Sequence, residues 1–502
     1  MTTTNTESTV PESTDIVQQA IEKIVDDAGA NKMPFQIKAA TDAACKLQSQ
    51  QGILLQAHAG LGKTYMVLPA IKYLLDTQRI KLQSDWPMPI LWVTPAAVIP
   101  QTLEVINQFG LMSTVFPMSY AAFRGKLAEK IYWDKTKHPF NNTFLYSWKA
   151  ISMPSLVVFD ECQGLKNDSS SQTQLSWSIP QGVKRIFISA TPYQRVSEAR
   201  SVVQGVGMKT YGEPCTTETA PQLLQDIARW GSPSKLCQAQ MERLRTAMKP
   251  YAVFVPKVRY KHKTHTRCRL IEFETSAERE HYDGYFQAFK KKCEAQMRNS
   301  SFGRNEILVA MQKFREGAEE VRAVRMAKRA IEMAERGRQV IVVFNFVNPM
   351  RLAYKALRNE GLSEDSISHI VGGQSPSKRE SERAKFQEGK SNILLFTMRS
   401  GGVGISLHHD REEAKPRHII IPPTWSAIDL VQALGRGHRI TSISDTTERV
   451  EAKLDCINAS VGRKENWVNV FTNGTVQQDI ASDTEYQELE DENLTVQEET
   501  NE

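Results

Sequence analysis

The sequence is poor in cysteine, and its cysteines are not spaced for metal binding. Seven cysteines are scattered over 502 residues, and no two of them form a Cys-x-x-Cys pair. Zinc ribbons and thiol redox motifs depend on such pairs, so the spacing argues against both classes of protein. An odd, scattered set of cysteines is typical of a reducing compartment. We therefore expect an intracellular protein of the cytoplasm or nucleus.

Long apolar runs are also missing. No run approaches the roughly 18 residues that a membrane-spanning helix requires. The first residues are rich in Thr, Ser and Glu, with neither a basic start nor an apolar stretch, so they do not predict a secretory signal. We expect residues 1–28 to form a disordered leader.

Charge is moderate on average and uneven along the chain. Of all residues, 24% are charged and the net charge is +6, but residues 479–502 hold ten acidic side chains and no Lys or Arg. Residues 1–478 therefore carry a net charge of +16. A basic body with an acidic tail suggests a polyanionic partner, such as nucleic acid, for which the tail could compete. The alternative is a solvated, disordered tail that only aids solubility.

The remaining sequence alternates short apolar runs with helical patterns and shows no internal repeat. This alternation predicts an α/β fold of parallel sheets with crossover helices, and 40% hydrophobic residues can fill several cores. We expect a first lobe at 29–200, a helical basic segment at 201–335 and a second lobe at 336–478. The runs are short and rich in Val, Ile, Leu or Phe, as in strands buried on both faces. They are Gly52–Gln56, Ile90–Thr94, Leu156–Phe159, Arg185–Ser189, Val340–Phe344, Ile393–Phe396 and His418–Ile421.

A phosphate-binding loop follows the first apolar run. The segment Ala57–Thr64 reads Ala-His-Ala-Gly-Leu-Gly-Lys-Thr and leads into a helical pattern. Gly60 and Gly62 allow backbone N–H groups to turn toward phosphate oxygens, and Lys63 adds a cation near the β- and γ-phosphates. The Thr64 hydroxyl is a candidate Mg²⁺ ligand. A chance glycine turn is the alternative, which the order of strand, loop and helix disfavours.

Two carboxylates follow the third run, Leu156–Phe159. Asp160 and Glu161 come where open α/β sheets bind ligands, at the carboxyl end of a strand. Asp160 is a candidate ligand of Mg²⁺, and Glu161 is a candidate general base for an attacking water. An acidic pair alone would more often begin a helix, so its value depends on the preceding phosphate loop.

These motifs resemble those of a known family. The segment Asp160–Asn167, Asp-Glu-Cys-Gln-Gly-Leu-Lys-Asn, is similar to the Asp-Glu box of superfamily-two helicases, and its final Leu-Lys-Asn resembles the Swi/Snf-type branch. Ser189 and Thr191, in Ser-Ala-Thr-Pro, resemble the motif that couples the ATP site to nucleic acid. Gln36 resembles the glutamine that reads adenine, and Thr94 resembles a residue that touches the nucleic-acid backbone. The resemblance implies two RecA-like lobes.

The second lobe carries two further motifs of this kind. The segment Leu395–Leu407 closely resembles the Swi/Snf-type glycine motif, in which Gly404 is a candidate for close approach to phosphate. The segment Gln432–Ile440, Gln-Ala-Leu-Gly-Arg-Gly-His-Arg-Ile, holds Arg436 and Arg439, which would share a face on a helix. In the resembled family these arginines complete the ATP site from the second lobe, with Gln432 in the same motif. A surface salt-bridge helix is the alternative.

The sequence departs from the family pattern at two places. Ala57 stands where the phosphate loop usually begins with Gly, and Gln163 stands where many members have His. Related motors tolerate both residues. No chromatin-reading module, zinc finger or nuclease motif is visible, and such a lean motor resembles viral or mobile-element members.

A basic stretch lies between the lobes. Residues 257–269 hold six Lys or Arg residues, among them Lys261, Lys263 and Arg267. It is either a phosphate-contacting surface or a solvated basic face.

Three functions remain open from the sequence. The leading interpretation is an ATP-dependent, Mg²⁺-dependent motor that translocates on double-stranded DNA. The second is a strand-separating helicase on DNA or RNA, which would share the whole ATP site. The third is a catalytically silent nucleic-acid-binding scaffold, against which the intact Lys63, Asp160, Glu161, Arg436 and Arg439 argue.

Overall fold

Two parallel sheets dominate the protein. The computed structural model describes residues 13–80, 89–137, 144–210, 212–229, 231–234, 237–256, 258, 260–270, 275–298, 304–398, 405–422, 429, 432–433 and 435–452. Within this part of the chain, the residues up to Val258 form a first compact unit and those from Tyr260 onward form a second. Each unit holds one six-stranded sheet, so the predicted α/β fold with two parallel-sheet lobes is confirmed.

The first unit combines ten α-helices and several short 3-10 helices with ten strands among its described residues. The helices are α1 (Thr14–Asp27), α2 (Pro34–Ser49), α3 (Lys63–Asp76), α4 (Ile99–Gln108), α5 (Tyr120–Phe123), α6 (Lys126–Ile131), α7 (Ser171–Trp177), α8 (Arg200–Gly205), α9 (Ala220–Ala228) and α10 (Gln238–Met248). The strands are β1 (Gly52–Gln56), β2 (Ile90–Thr94), β3 (Val115–Ser119), β4 (Trp133–Lys137), β5 (Phe144–Trp148), β6 (Leu156–Asp160), β7 (Lys184–Ser189), β8 (Lys209–Thr210), β9 (Glu213–Pro214) and β10 (Ala252–Phe254).

The strand order of the first sheet brings the motif loops together. The order is β10-β1-β7-β6-β2-β3, and every pairing is parallel. Strands β1, β2 and β6 are buried along their whole length, as their Ile, Leu, Val and Phe content predicts. Since the strands are parallel, the loops that follow β1, β7, β6 and β2 all leave the sheet at the same edge.

The predicted disordered leader, residues 1–28, differs from the structure in its second half. Helix α1 buries Val17, Ile21, Ile24 and Val25. The spacing of these side chains places them on one helical face, and burying each contributes about 1.5–3 kcal/mol. The residues before Ser13 lie outside the described residues.

The second unit has four helices and six strands among its described residues. The helices are α11 (Ser276–Arg298), α12 (Arg304–Glu335), α13 (Val347–Asn359) and α14 (Pro376–Gln387). The strands are β11 (Thr264–Leu270), β12 (Gln339–Phe344), β13 (Ile367–Ile370), β14 (Ile393–Thr397), β15 (Arg417–Ile421) and β16 (Thr446–Ala452). The sheet order is β11-β16-β15-β12-β14-β13, and all pairings are parallel.

The segment 201–335, predicted as one helical insertion, is divided between the two units. Helices α8–α10 and strand β10 belong to the first unit, and β10 pairs with β1 at the edge of its sheet. Helices α11 and α12 belong to the second unit, where the buried Ala323, Met326 and Ala330 of α12 pack with β12. Burial of these apolar faces assigns each half to a sheet, although its surface charge suggested a linker.

Candidate functional site

Two glycines with positive φ angles allow the phosphate loop of the first unit to turn. Gly60 and Gly62 have φ angles of +82° and +72°, in the region that favours glycine. A Cβ atom on Gly62 would lie 2.6 Å from Nε2 of Gln36, so any other residue there would displace that side chain in addition to straining the backbone. Helix α3 begins directly after Gly62 without a side-chain cap. Its first N–H groups are therefore available to an anion, and the helix dipole favours negative charge at this end.

Three predicted residues lie around this loop. Lys63 and Thr64 are the first two residues of α3, and both are half-buried. Gln36 is buried on α2, and its Nε2 donates to the carbonyl of Leu61 at 2.8 Å. Gln36 thus supports the loop directly, and its role in reading adenine stays a prediction.

The acidic pair stands at the carboxyl end of β6. Asp160 is 6% exposed, and Thr94 donates its hydroxyl to Oδ2 of Asp160 at 3.0 Å. Burial, together with the nearby charge of Glu161, raises the pKa of Asp160 to about 6, while Lys63 acts in the opposite direction. Bringing two carboxylates together in a buried place costs free energy that a bound divalent cation offsets. The donor set therefore fits Mg²⁺, which in proteins typically binds one or two carboxylates together with substrate phosphates.

The resemblance implied that Thr94 touches the nucleic-acid backbone, but in the first unit Thr94 does not lie on an open surface. Its side chain is fully buried at the end of β2, and its hydroxyl serves the carboxylate of Asp160. The reason is strand order, because β2 is the direct neighbour of β6.

A chain of hydrogen bonds connects the candidate general base to the Ser-Ala-Thr motif. Glu161 Oε2 accepts from Nε2 of Gln163 at 2.7 Å, and Gln163 Oε1 accepts from the Ser189 hydroxyl at 2.6 Å. Ser189 Oγ in turn accepts from the backbone N–H of Thr191 at 2.9 Å. Ser189 and Thr191 are buried, so their end of the chain is shielded from water, whereas Glu161 and Gln163 are half-buried. Movement of the 189–191 loop would therefore reach the carboxylate of Glu161 through a single side chain.

Glu161 itself has an unusual backbone conformation. Its φ is +53° and its ψ is +54°, which is the left-handed region that a non-glycine residue rarely adopts. Such conformations cost of order 1–3 kcal/mol and cluster at functional sites.

In the second unit, the arginine motif forms a turn. Arg436 and Arg439 were predicted to share one face of a helix. Residues 435–437 form a turn instead, and no helix covers 436–439. Glycines on both sides of Arg436 disfavour a helix. Gly437 is also needed for packing, because a Cβ atom there would lie 2.5 Å from Cδ1 of Ile419 on β15.

The two arginines differ in exposure. Arg436 is buried, with 4% of its surface exposed, whereas Arg439 is only half-buried. Gln432 is half-buried as well. Gly404 of the glycine motif lies outside the described residues. Arg439 is thus the better placed of the two arginines to act on a ligand.

The end of the glycine motif and the residue that follows it, Leu407 and His408, hold the arginine turn in place. The backbone N–H of Leu407 donates to the carbonyl of Arg436 at 3.1 Å, and Thr441 Oγ1 lies 2.7 Å from Nε2 of His408. Burial, aided by the nearby positive charge of Arg439, lowers the pKa of His408 to about 3. This ring is therefore neutral at physiological pH, and the contact is a neutral hydrogen bond.

A buried arginine fixes the same segment from the other side. Arg417 is fully buried on β15 and donates through Nε to the carbonyl of Leu407 at 2.7 Å. Its Nη2 donates to Oε1 of Gln387 at 2.7 Å and to the carbonyl of His408 at 3.3 Å. These bonds satisfy a desolvated cation and tie the two motifs to the sheet.

Part of the second unit matches the model of a known domain family, and one relative of known name is similar over most of the chain. Residues 322–441 match the model of the helicase conserved C-terminal domain. The Danio rerio protein "Chromodomain-helicase-DNA-binding protein 1-like" is 20% identical over 439 residues, which is 81% of this chain and 40% of that protein. Residues 322–441 are thus similar to the C-terminal domain of helicases, and the ordered motifs of the chain resemble those of superfamily-two helicases of the Swi/Snf type.

A second relative is similar to this chain over a shorter region. A protein of Acanthamoeba polyphaga mimivirus named "Putative ATP-dependent RNA helicase L364" is 34% identical over 116 residues, which is 23% of this chain and 20% of that protein. The chain therefore spans well under half the length of both curated relatives. None of the helices in the described part of the chain is both long and apolar enough to cross a membrane.

Solved structures of helicases and related ATPases also resemble this chain at low identity. The Sulfolobus solfataricus SWI2/SNF2 ATPase core in complex with dsDNA is 15% identical, with a TM-score of 0.36 and coverage of 84% of this chain and 88% of that one. Dbp5 of S. cerevisiae bound to RNA and ADP BeF3 is 13% identical, with a TM-score of 0.45 and coverage of 91% and 94%.

Several residues of the candidate site were missed by sequence reasoning. Gln163 was noted only as a departure from the family pattern, yet it joins Glu161 to Ser189. Tyr120 donates its hydroxyl to the carbonyl of Asp160 at 2.9 Å. The contact between His408 and Thr441 likewise joins residues far apart in the chain. Gln163 does stand in the motif after Asp160, whereas Tyr120, His408 and Thr441 stand in no local pattern that would have marked them.

Proposed function

We propose that this protein is an ATP-driven motor that translocates along double-stranded DNA. The observation that carries the proposal is the convergence of the phosphate loop and the acidic pair at one edge of the first sheet. Only β7 lies between strands β1 and β6 in the sheet. The loop that follows β1 and leads to Lys63 therefore lies at the same end of the sheet as Asp160, the last residue of β6. Lys63 acts on the pKa of Asp160, which is consistent with their proximity.

Each residue of this site has a distinct proposed role in ATP hydrolysis. The N–H groups of the first turn of α3 bind phosphate oxygens, and Lys63 adds a positive charge. Thr64 and Asp160 hold Mg²⁺, which when bound withdraws charge from the phosphates. Glu161 orients the attacking water and accepts its proton. Arg439, with Arg436 and Gln432 in the same motif, contributes positive charge from the second unit.

The link between Glu161 and the 189–191 loop supports coupling to nucleic acid. Gln163 transmits a displacement of Ser189 or Thr191 to the carboxylate that activates water. We assign Ser189 and Thr191 to this coupling, and Gly404 to close approach of the second unit's backbone to a phosphate. Thr94 acts with them through the carboxylate of Asp160.

The choice of double-stranded DNA rests on the Swi/Snf-type motifs. Lys261 and Lys263 are exposed ahead of β11, where they can reach phosphates. We also propose Arg267 as a phosphate contact, on its position in the basic stretch, since its side chain lies outside the described residues. A strand-separating helicase on DNA or RNA is the second candidate, and the name of the mimivirus relative favours it.

One experiment separates these candidates. ATP-dependent removal of a triplex-forming strand from duplex DNA reports translocation, while release of one strand of a duplex reports strand separation. The proposal predicts triplex displacement without release of the duplex strand. Efficient release of DNA or RNA strands without triplex displacement would favour the second candidate and contradict the first.

Removing the cation of the phosphate loop is expected to weaken nucleotide binding. Lys63→Ala should lower ATP affinity by about 10–100-fold, because a hydrogen bond to a charged group contributes about 1.5–3 kcal/mol. Titration of a fluorescent ATP analogue measures the affinity. Lys72→Ala is the matched control, since Lys72 lies on the same helix in an exposed pair with Asp76. Equal affinities for the two variants would contradict the assignment of Lys63.

A further inference from the structure

A β-hairpin is added to the first unit outside its parallel sheet. Strands β4 and β5 pair only with each other, with Trp133 opposite Trp148 and Lys137 opposite Phe144. The base of the hairpin is anchored, because Trp133 is buried and its Nε1 donates to the carbonyl of Phe123 at 3.2 Å. Beyond Trp133, the described residues of β4 are exposed. The hairpin is thus a fixed ribbon that the sheet does not need for its own pairing.

Large apolar side chains are exposed on and beside this ribbon. Phe144 and Leu145 of β5 are 40% and 49% exposed, and Leu127 of the adjacent α6 is 65% exposed. Ile151, just after the hairpin, is 77% exposed. Phe144 and Leu145 are consecutive on β5 and therefore lie on opposite faces of the ribbon, with Phe144 on the face of Lys137, so apolar side chains are exposed on both faces.

The same stretch is strongly basic. Residues 124–151 hold six Lys or Arg residues and two acidic residues. Both acids are already paired, because Glu129 lies 3.3 Å from Lys135 and Asp134 lies 3.3 Å from Lys149.

The other four cations of this stretch make no ion pair with any acid in the described part of the chain. They are Arg124, Lys126, Lys130 and Lys137, and all four are exposed. Their charge is therefore available to an external anion.

We propose that this hairpin surface binds single-stranded DNA. The surface is defined by its four unpaired cations and its four exposed apolar side chains: Arg124, Lys126, Lys130, Lys137, Leu127, Phe144, Leu145 and Ile151. The cations match the phosphate backbone, and the apolar side chains match bases that a single strand exposes and a duplex hides. An acidic peptide would use the cations without the apolar side chains. The inference rests on the proposed function, in which nucleic acid is the partner.

Two sets of substitutions in the full chain test the two parts of the surface. Lys126, Lys130 and Lys137 are changed together to Ala in one variant, and Phe144 and Leu145 are changed together to Ala in the other. The matched control changes three exposed lysines elsewhere in the first unit, Lys23, Lys209 and Lys249, to Ala. Fluorescence anisotropy measures the affinity of each variant for labelled oligothymidylate and for a labelled DNA duplex made of two separate strands. The affinities are measured over a range of salt concentrations.

The expected results differ between the two variants. The lysine variant should lower the log–log salt slope for oligothymidylate by about 2, at roughly 0.7 per phosphate contact. The Phe144 and Leu145 variant should bind oligothymidylate about 10-fold more weakly with an unchanged slope, and should keep its duplex affinity, because base contacts are lost and phosphate contacts remain. The control variant should match the wild type in both respects.

Three outcomes would overturn the proposal in distinguishable ways. If the wild type binds DNA and both hairpin variants have the same affinity and salt slope as the wild type, the hairpin surface is refuted and the proposed function still stands. Failure of the wild type to bind any oligonucleotide would refute the proposed function as well. Unchanged DNA affinity with loss of self-association in sedimentation would show that the surface joins two copies of the chain.

Discussion

Glu161→Gln is expected to lower the rate of ATP hydrolysis by about 10²–10⁴-fold, the range that a positioned general base contributes. The amide keeps the shape of the side chain and removes its ability to accept a proton from water. ATP affinity should change little, since the phosphate loop and Lys63 are untouched. A loss confined to turnover is the signature of an interaction made only in the transition state.

The measurement combines single-turnover hydrolysis with nucleotide titration. Glu213→Gln is the matched control, because Glu213 is an exposed carboxylate of the same unit on strand β9. Near-normal hydrolysis by Glu161→Gln would show that another group activates the water. An equal loss of affinity and turnover would instead indicate that the substitution had damaged the loop.

Arg439→Ala should give the second large effect, a loss of turnover of about 10³–10⁵-fold with ATP affinity nearly unchanged. This is the range in which an arginine acting on the transferred phosphate contributes to the rate. Arg439 is half-buried, and its backbone N–H donates to the Ser442 hydroxyl at 2.9 Å, so the turn should keep its conformation in the variant. Arg436→Ala is a weaker test, because that side chain is buried and its removal also destabilises the unit.

Arg411→Ala is the control for this result, since Arg411 is an exposed arginine of the same unit. Thermal unfolding of each variant checks that the second unit remains folded. Turnover by Arg439→Ala equal to that of Arg411→Ala would remove the second unit from the proposed mechanism of hydrolysis.

The elements that local sequence determines were predicted well. The apolar runs became the buried strands β1, β2, β6 and β7 of the first sheet and β12, β14 and β15 of the second. A run of Val, Ile and Leu bounded by polar residues carries this information within a few positions.

The errors have physical causes that local patterns do not contain. Helix α1 did carry a signal, the spacing of Val17, Ile21 and Ile24, which the polar start of the chain obscured. Strand β11 lies in the segment 201–335 that was predicted as helical, and its pairing with β16, far along the chain, makes it a strand. Arg436 lies in a turn because Gly437 must approach Ile419 closely.

The candidate site shows the same division between local and distant information. The phosphate loop and the acidic pair were found from their residues, since glycine, lysine and carboxylates at those spacings have few other uses. The support of Glu161 by Gln163 and Ser189, and the burial of Thr94 against Asp160, depend on the order of strands in the sheet. Strand order is a property of the whole fold, so no single segment predicts it.

The most direct test of the central claim is the steady-state rate of phosphate release by the full chain at saturating ATP and Mg²⁺, with and without duplex DNA. The account predicts that duplex DNA raises the rate by about 5–150-fold, the range of typical coupling between two sites. It also predicts that Glu161→Gln abolishes the stimulated rate. Equal rates with and without duplex DNA, in a preparation that binds ATP, would contradict the proposal that this protein is a DNA-driven motor.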